Sequence, residues 1–380
     1  MNDRYSSPSY TLIGRVALAV AGIGVVAAVF GVISAPAAFF SAYLMAYLFC
    51  VGLSVGSLML LMLHHLVAGR WGFTIQRALE GAVSTLPLMA LLFVPLPLGV
   101  HVLYHWSHAQ SVATDTILQH KQAFLNVDFW VIRAALYLLV WNIFAWLLLR
   151  RPQRSHLPVL SGPALAAMVV TVSFASIDWA MSLDPHWFSS IYGLVFVVGH
   201  ALSALALIIV LLPLLRKNAA FAELLTKDRL HELGKLLFAF VMLWAYLNIS
   251  QYLIIWMGNL PEEISWYVYR TTGGWQAIAL AVIFLHFVVP FGLLLSRRVK
   301  RSLRLLVPVA ALVLGARGVD LFWLLRPSAE HATPTFHWLD VVLPLTLVSL
   351  WLSVFLWRTS RHTAVPKDDP RMLEAFSHVH

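Results

Sequence analysis

Apolar residues run along this chain in long stretches separated by short polar turns. Ten stretches reach the ~20 residues that a helix needs to cross a bilayer. They cover residues 16–33, 38–67, 78–103, 129–149, 160–181, 190–215, 236–257, 274–295, 305–325 and 341–357. Helix-stopping pairs stand between several of them, as at Arg151-Pro152, Asp184-Pro185, Leu260-Pro261 and Arg326-Pro327. A proline lacks the N–H that would continue a helix, so each pair predicts a turn. The expected fold is an all-α, polytopic membrane protein with ten transmembrane helices.

Composition agrees. Of 380 residues, 60% are hydrophobic and 11% charged, and the mean hydropathy is +0.80. Soluble domains carry about a quarter charged residues, so a soluble enzyme is excluded. The net charge of +9 acquires meaning only by position. With ten spans, 21 of the 26 basic residues fall on one side. These include Arg4 and Arg15, Arg70 and Arg77, Arg150, Arg151 and Arg154, the 216–235 and 297–304 clusters, and the tail with Arg358, Arg361, Lys367 and Arg371. The opposite side holds Lys121, Arg270 and Arg326, while Arg133 and Arg317 lie within spans. Positive charge stays in the cytoplasm. Both termini are therefore expected inside, in a bacterial inner membrane, and the charge marks a rim rather than a nucleic-acid site. The first helix is expected to be retained, because its 18-residue run exceeds a typical signal-peptide core.

The expected outer face is acidic and histidine-rich. It carries Asp115, Asp128, Asp184, Glu262, Glu263, Glu330 and Asp340, with His105, His108, His120, His186, His331 and His337. Such a face suits docking of a basic partner or passage of protons. The one cysteine, Cys50, reads as a small buried hydrophobe. It leaves no thiolate set for an iron–sulfur cluster and no covalent haem motif. Electron carriers, where needed, belong to other subunits.

Ionisable residues inside spans are costly, about 2.5–3.5 kcal/mol near the centre on insertion scales, and mark functional candidates. His200 and His286 lie near mid-depth, roughly 16 Å into their spans at 1.5 Å per residue. They suit a proton relay, a haem b or plain interhelical bonding. Arg133, with Asp128 five residues before it, shares an outer layer with Asp178, Arg317 and Asp320. Arg317 and Asp320, three apart, share a helix face and are expected to pair. His64, His65 and Glu80 are expected to snorkel at the inner rim or to open a path there.

Spans two to five and six to nine run in the same order, which suggests two four-helix bundles with spans one and ten peripheral. The expected units are 1–37, 38–188, 189–326, 327–358 and the tail 359–380. The stretch 173–193, SFASIDWAMSLDPHWFSSIYG, together with 234–240 (GKLLFAF), Trp244-Ala245-Tyr246, 251–256 (QYLIIW), Pro261-Glu262-Glu263 and Trp266-Tyr267, resembles a known family. It is similar to the ActF-type membrane subunit of alternative complex III, in the NrfD/polysulfide-reductase membrane-subunit group. The resemblance is sharpest over 173–270 and implies the two-bundle fold. It also implies a role within a quinol:cytochrome c (or oxidase) oxidoreductase. Its partners there would be an iron–sulfur subunit, a multihaem c-type cytochrome and a related membrane subunit. This chain itself would hold no metal and would contribute a proton path or a quinone pocket. Asp178, Asp184 and His186 fall in the matched stretch. Asp128, Arg133, His200, His286, Arg317 and Asp320 are candidates from depth alone. A secondary transporter and a b-type cytochrome anchor are the competing expectations.

Overall fold

The computed structural model describes residues 8–150, 157–328 and 333–361. Among these residues there is no strand, and ten helices are long and apolar enough to cross a membrane. By length and composition the chain is thus a multi-pass membrane protein. The spans are α1 (Pro8–Ser34), α2 (Pro36–Val67), α3 (Arg70–Leu98), α4 (Val127–Arg150) and α5 (Leu157–Trp179). They continue with α6 (Tyr192–Leu215), α7 (Lys227–Gly258), α8 (Trp275–Leu295), α9 (Leu303–Leu325) and α10 (Leu339–Thr359). Shorter helices are named here by their residues. The expected positions Arg4, Arg151-Pro152, Arg154, Glu330, His331, Lys367 and Arg371 lie outside the described residues, as does nearly all of the 359–380 tail.

Two expectations at α3 are corrected. The polar connection holding Arg70 and Arg77 is only Ala68 and Gly69, with Ala68 left-handed at the end of α2. Arg70 opens α3 and Arg77 lies within it. Hydropathy missed these turns because they are amphipathic: Phe73, Ile75 and Leu79 are buried while Arg77 stays on the polar side. The span also does not run as one helix to 103. It breaks after Val83 and after Leu92, and short turns at Pro95–Leu98 and Val100–Leu103 follow. Pro87, Pro95 and Pro97 cause this, since each removes a donor and crowds the carbonyl four residues back. The α7 helix likewise starts at Lys227, nine residues before the apolar run.

Helices α2 and α6 form the centre. Of their most apolar windows, 89% and 78% of residues are buried, against 22% for α1 and for α8. The two pack against each other, and α2 also meets α3, α5 and α10, while α6 meets α5, α7 and α9. Small residues explain the approach. A Cβ on Gly56 would stand 2.1 Å from the carbonyl oxygen of His200, and one on Gly52 would stand 2.3 Å from the His200 ring. Without a strong hydrophobic force between helices in lipid, such close backbone contact drives association.

Cross-chain bonds define the two faces. Tyr10 Oη and Thr359 Oγ1 are 2.5 Å apart, so the start of α1 and the end of α10 share one face. Thr74–Arg229 and Asp228–Arg301 lie on that basic face too. Tyr104 bonds the carbonyl of Trp179, Trp106 that of Ser182, and Lys121 that of Pro185 on the opposite, acidic face.

Candidate functional site

Among the described residues, three clusters gather most of the ionisable candidates. In the first, Asp178 occupies the last turn of α5 and is fully buried. Arg133 of α4 meets it with two bonds, Nε to Oδ2 at 2.8 Å and Nη2 to Oδ1 at 2.7 Å. Tyr137, one turn along α4, donates to Oδ2 at 2.8 Å. The Arg133 guanidinium also donates to the Phe124 carbonyl and lies over the rings of Phe124 and Phe129, at 3.8 and 4.3 Å from their centroids. The Asp178 carbonyl accepts from Trp130 and Ser182. This carboxylate is saturated with donors, which makes it a strong tie between α4 and α5. Asp128 is exposed and takes no part. Beside the cluster, an apolar cavity of about 280 Å³ is lined by Phe124, Ile177, Met181, Trp187 and Phe188, with Lys121 at its edge.

The second cluster lies between α7, α8 and α9. Arg317 and Asp320 pair on α9 as the spacing predicts. His286 approaches Asp320 with Nδ1 4.0 Å from Oδ2, and its ring lies 4.2 Å from that of Trp244 on α7. His286 belongs to a six-residue π-helical segment, Ile283–Val288, within α8. Such segments are rare and recur at functional sites. The Arg317 guanidinium reaches α6 where Gly199 leaves room, since a Cβ there would lie 2.7 Å from Cζ. His200 is the next residue, so Arg317 stands beside the candidate histidines of both α6 and α8. The His200 ring itself lies against Gly52 of α2, so Asp320 and Arg317 are bonded into the His286 side of the cluster only. Among the described residues, both ring nitrogens of His286, Oδ1 of Asp320 and one terminal nitrogen of Arg317 are buried with no hydrogen-bond partner. Buried polar atoms are nearly always satisfied, so this cluster differs from the saturated one around Asp178.

The third cluster closes the acidic face. Arg270 ends the Pro261–Arg270 helix and is fully buried. It donates to Asp184 at 3.1 Å, to the Leu324 carbonyl at 2.9 Å and to Ser328 at 2.8 Å, and stacks 3.7 Å from the Trp266 ring centroid. Ser328 also bonds Asp184, at 2.6 Å. Burial lowers the pKa of Arg270, with Asp184 opposing, and burial pushes the Tyr269 phenol up to about 12. His186, two residues from Asp184, turns the other way and meets Asp115 at 2.5 Å. Desolvation opposes ionisation of Asp115. The bonds from His186 and from the N–H groups of Leu118 and Ile117 outweigh it and hold the carboxyl below its ordinary pKa.

The snorkelling expected of His64 and His65 is not seen. Both are buried, His64 against Phe73 and beside Gly72, and His65 with Nδ1 3.2 Å from Ser161. The extended α3 covers them, which hydropathy did not foresee. Cys50 is fully buried, as expected. The sequence reading passed over Tyr137, Trp244, Gly199 and the bonding role of Arg270. Tyr137 was findable, four residues from Arg133 on the same face. The others depend on which helices meet.

Fold and clusters together define a class, a helical multi-pass membrane protein with charged clusters buried among its spans. The chain matches no family model and no curated protein.

Proposed function

We propose that this protein is the ActF-like membrane subunit of a quinol-oxidising complex of the alternative complex III type. In this reading α2–α5 and α6–α9 are two bundles, and α1 with α10 lies outside them. The packing of α2 and α6 at the centre, with α10 laid along α1 and α2, supports that grouping. The observation that carries the reading is the unsaturated His286–Asp320–Arg317 cluster at mid-depth. Quinol oxidation yields a quinone, two protons and two electrons. The electrons pass to iron–sulfur and haem centres of partner subunits. The protons need groups that accept and release them, and a carboxylate 4.0 Å from an imidazole offers two.

Roles divide by saturation. Asp320, His286 and His200 handle protons, with Arg317 holding the Asp320 carboxylate. Asp178 with Arg133, and Asp184 with Arg270, act as ties that shape the acidic end. The cavity beside Phe124 is the place for a quinone ring, apolar and one aromatic ring from Arg133. Mild-detergent purification tests the assembly: the protein brings iron–sulfur and c-haem subunits with it. Isolation without any redox partner overturns the reading. In that complex Asp320→Asn lowers quinol:acceptor turnover at least tenfold while the subunits stay together. Unchanged turnover removes the proton role.

A further inference from the structure

Helices α1 and α10 run side by side and antiparallel, from Tyr10 beside Thr359 to Gly31 beside Leu339. At their basic-face end a groove of about 370 Å³ opens between them. Its walls are apolar over most of their length, formed by Gly14 and Leu18 of α1 and by Val354, Leu356 and Trp357 of α10. Gly14 narrows α1 where Leu356 approaches. Three cations stand around the mouth. Arg15 lines the groove itself. Arg361 lies 3.9 Å and Arg358 4.8 Å from the Trp357 ring centroid. None of the three makes an ion pair among the described residues. The Nε of Arg358 is buried without a hydrogen-bond partner.

We infer that this groove is a binding site for an anionic phospholipid of the surrounding bilayer. An acyl chain fills the slot between α1 and α10, and the phosphate sits among Arg15, Arg358 and Arg361. The combination matches a lipid on two counts. The slot is long, apolar and open along the helix pair, which suits a chain rather than a compact ion. Among the described residues the charged groups at the mouth are all cations, and basic pockets between spans recognise acidic lipid headgroups. Arg15 lies five residues inside the start of its span, so its long side chain reaches back to headgroup depth. Trp357 supplies the interfacial ring that such positions favour. A zwitterionic lipid offers the same chain but cancels the phosphate charge with its own amine, so the site selects for net negative headgroups.

The test uses the complete protein, in its complex where one forms, exchanged into nanodiscs of phosphatidylcholine with 10% of a photoactivatable phosphatidylglycerol. The expected crosslinks fall on the peptides spanning residues 11–18 and 353–361. A phosphatidylcholine probe gives at least fivefold fewer. Arg15→Gln and Arg361→Gln each lower phosphatidylglycerol capture about fivefold, near the effect of one cation at a charged surface. Ser353→Trp, which narrows the slot from α10 and has no cation three or four residues along its helix, lowers capture of both lipids. Equal capture of the two probes by the unaltered protein overturns the proposal. So does crosslinking of the groove to another polypeptide in place of lipid. Because that comparison needs no substitution, it stands even where a variant misfolds.

Discussion

At the residue scale, glycines and guanidinium groups decide how the centre is built. Gly56 lies against backbone of α6, which has nowhere to go. Gly56→Val should therefore part α2 from α6 and cost about 1–3 kcal/mol, the usual range for overpacking. A thermal melt in detergent reads this as a lowered midpoint, and an unchanged midpoint would show that the helices give way. Arg133 presents the opposite case, an ion pair whose loss strands its partner. Arg133→Met leaves Asp178 buried without its cation, at a cost of about 3–5 kcal/mol. Adding Asp178→Leu should recover most of the loss, since an apolar pair replaces the ionic one. If the double variant is as unstable as the single, then Asp178 does more than hold α4 to α5. Depth alone brought Arg133, Arg317 and Asp320 to attention in the sequence, and Asp178 stood out by depth and by the matched stretch. Their partition into one saturated and one unsaturated cluster was not legible, because it depends on side chains from α4, α7 and α8 that meet only in the fold.

At the element scale, the irregular helices matter most. The apolar runs located all ten spans, because one long run maps onto one helix. They misplaced the start of α3 and the start of α7, where amphipathic turns continue a helix beyond its apolar part. They were also blind to the π-helical turn of α8, which has no hydropathy signature. That turn sets the azimuth of His286 relative to the residues before it. Deleting Phe284 should resolve it to α-helix with the flanking turns kept in register, since a π turn holds one extra residue, and should turn His286 away from its place within the segment. On the proposed function, turnover then falls as far as in Asp320→Asn while the purified complex keeps its subunits. Normal turnover would mean that the turn is only a packing adjustment. The short helix Thr116–Lys121 offers a pH test outside the membrane. Asp115 caps it through the N–H groups of Ile117 and Leu118, at 2.9 and 3.2 Å. Its carboxyl is more acidic in the fold than in an unfolded chain. The stabilisation is thus present above the ordinary carboxylate pKa, near 4, and is lost as pH falls through the lower folded value. Amide exchange at Ile117 and Leu118 should be faster in Asp115→Asn than in the unaltered protein at pH 6. That difference should shrink as pH falls below the ordinary carboxylate range, and a difference that does not change with pH would show that the cap does not depend on ionisation.

At the scale of the whole molecule, orientation joins the chemistry to the membrane. The pairing of Tyr10 with Thr359 puts the ends of α1 and α10 on one face, and the bonds among the acidic-face loops separate that face from Asp184, Arg270 and Asp340. The basic residues predict which face looks outward, since positive loops stay in the cytoplasm. On that orientation the Asp178 and Asp184 clusters, at the acidic ends of α5 and of the Pro261–Arg270 helix, lie towards the outside, and His286, midway along α8, lies deeper. On the proposed function, protons taken up at the His286–Asp320 cluster would then leave towards the acidic loops. Single cysteines decide the orientation cleanly, because the native Cys50 is fully buried and Cys50→Ala removes even that background. Glu262→Cys reports the acidic face and Arg298→Cys the basic face, both positions being exposed. A membrane-impermeant maleimide added to intact spheroplasts should label the first and spare the second until the cells are lysed. The reverse pattern would invert the molecule and send its protons the other way. Labelling of both before lysis would break the single crossing, α8, that separates them, and with it the assignment of the acidic loops to one side.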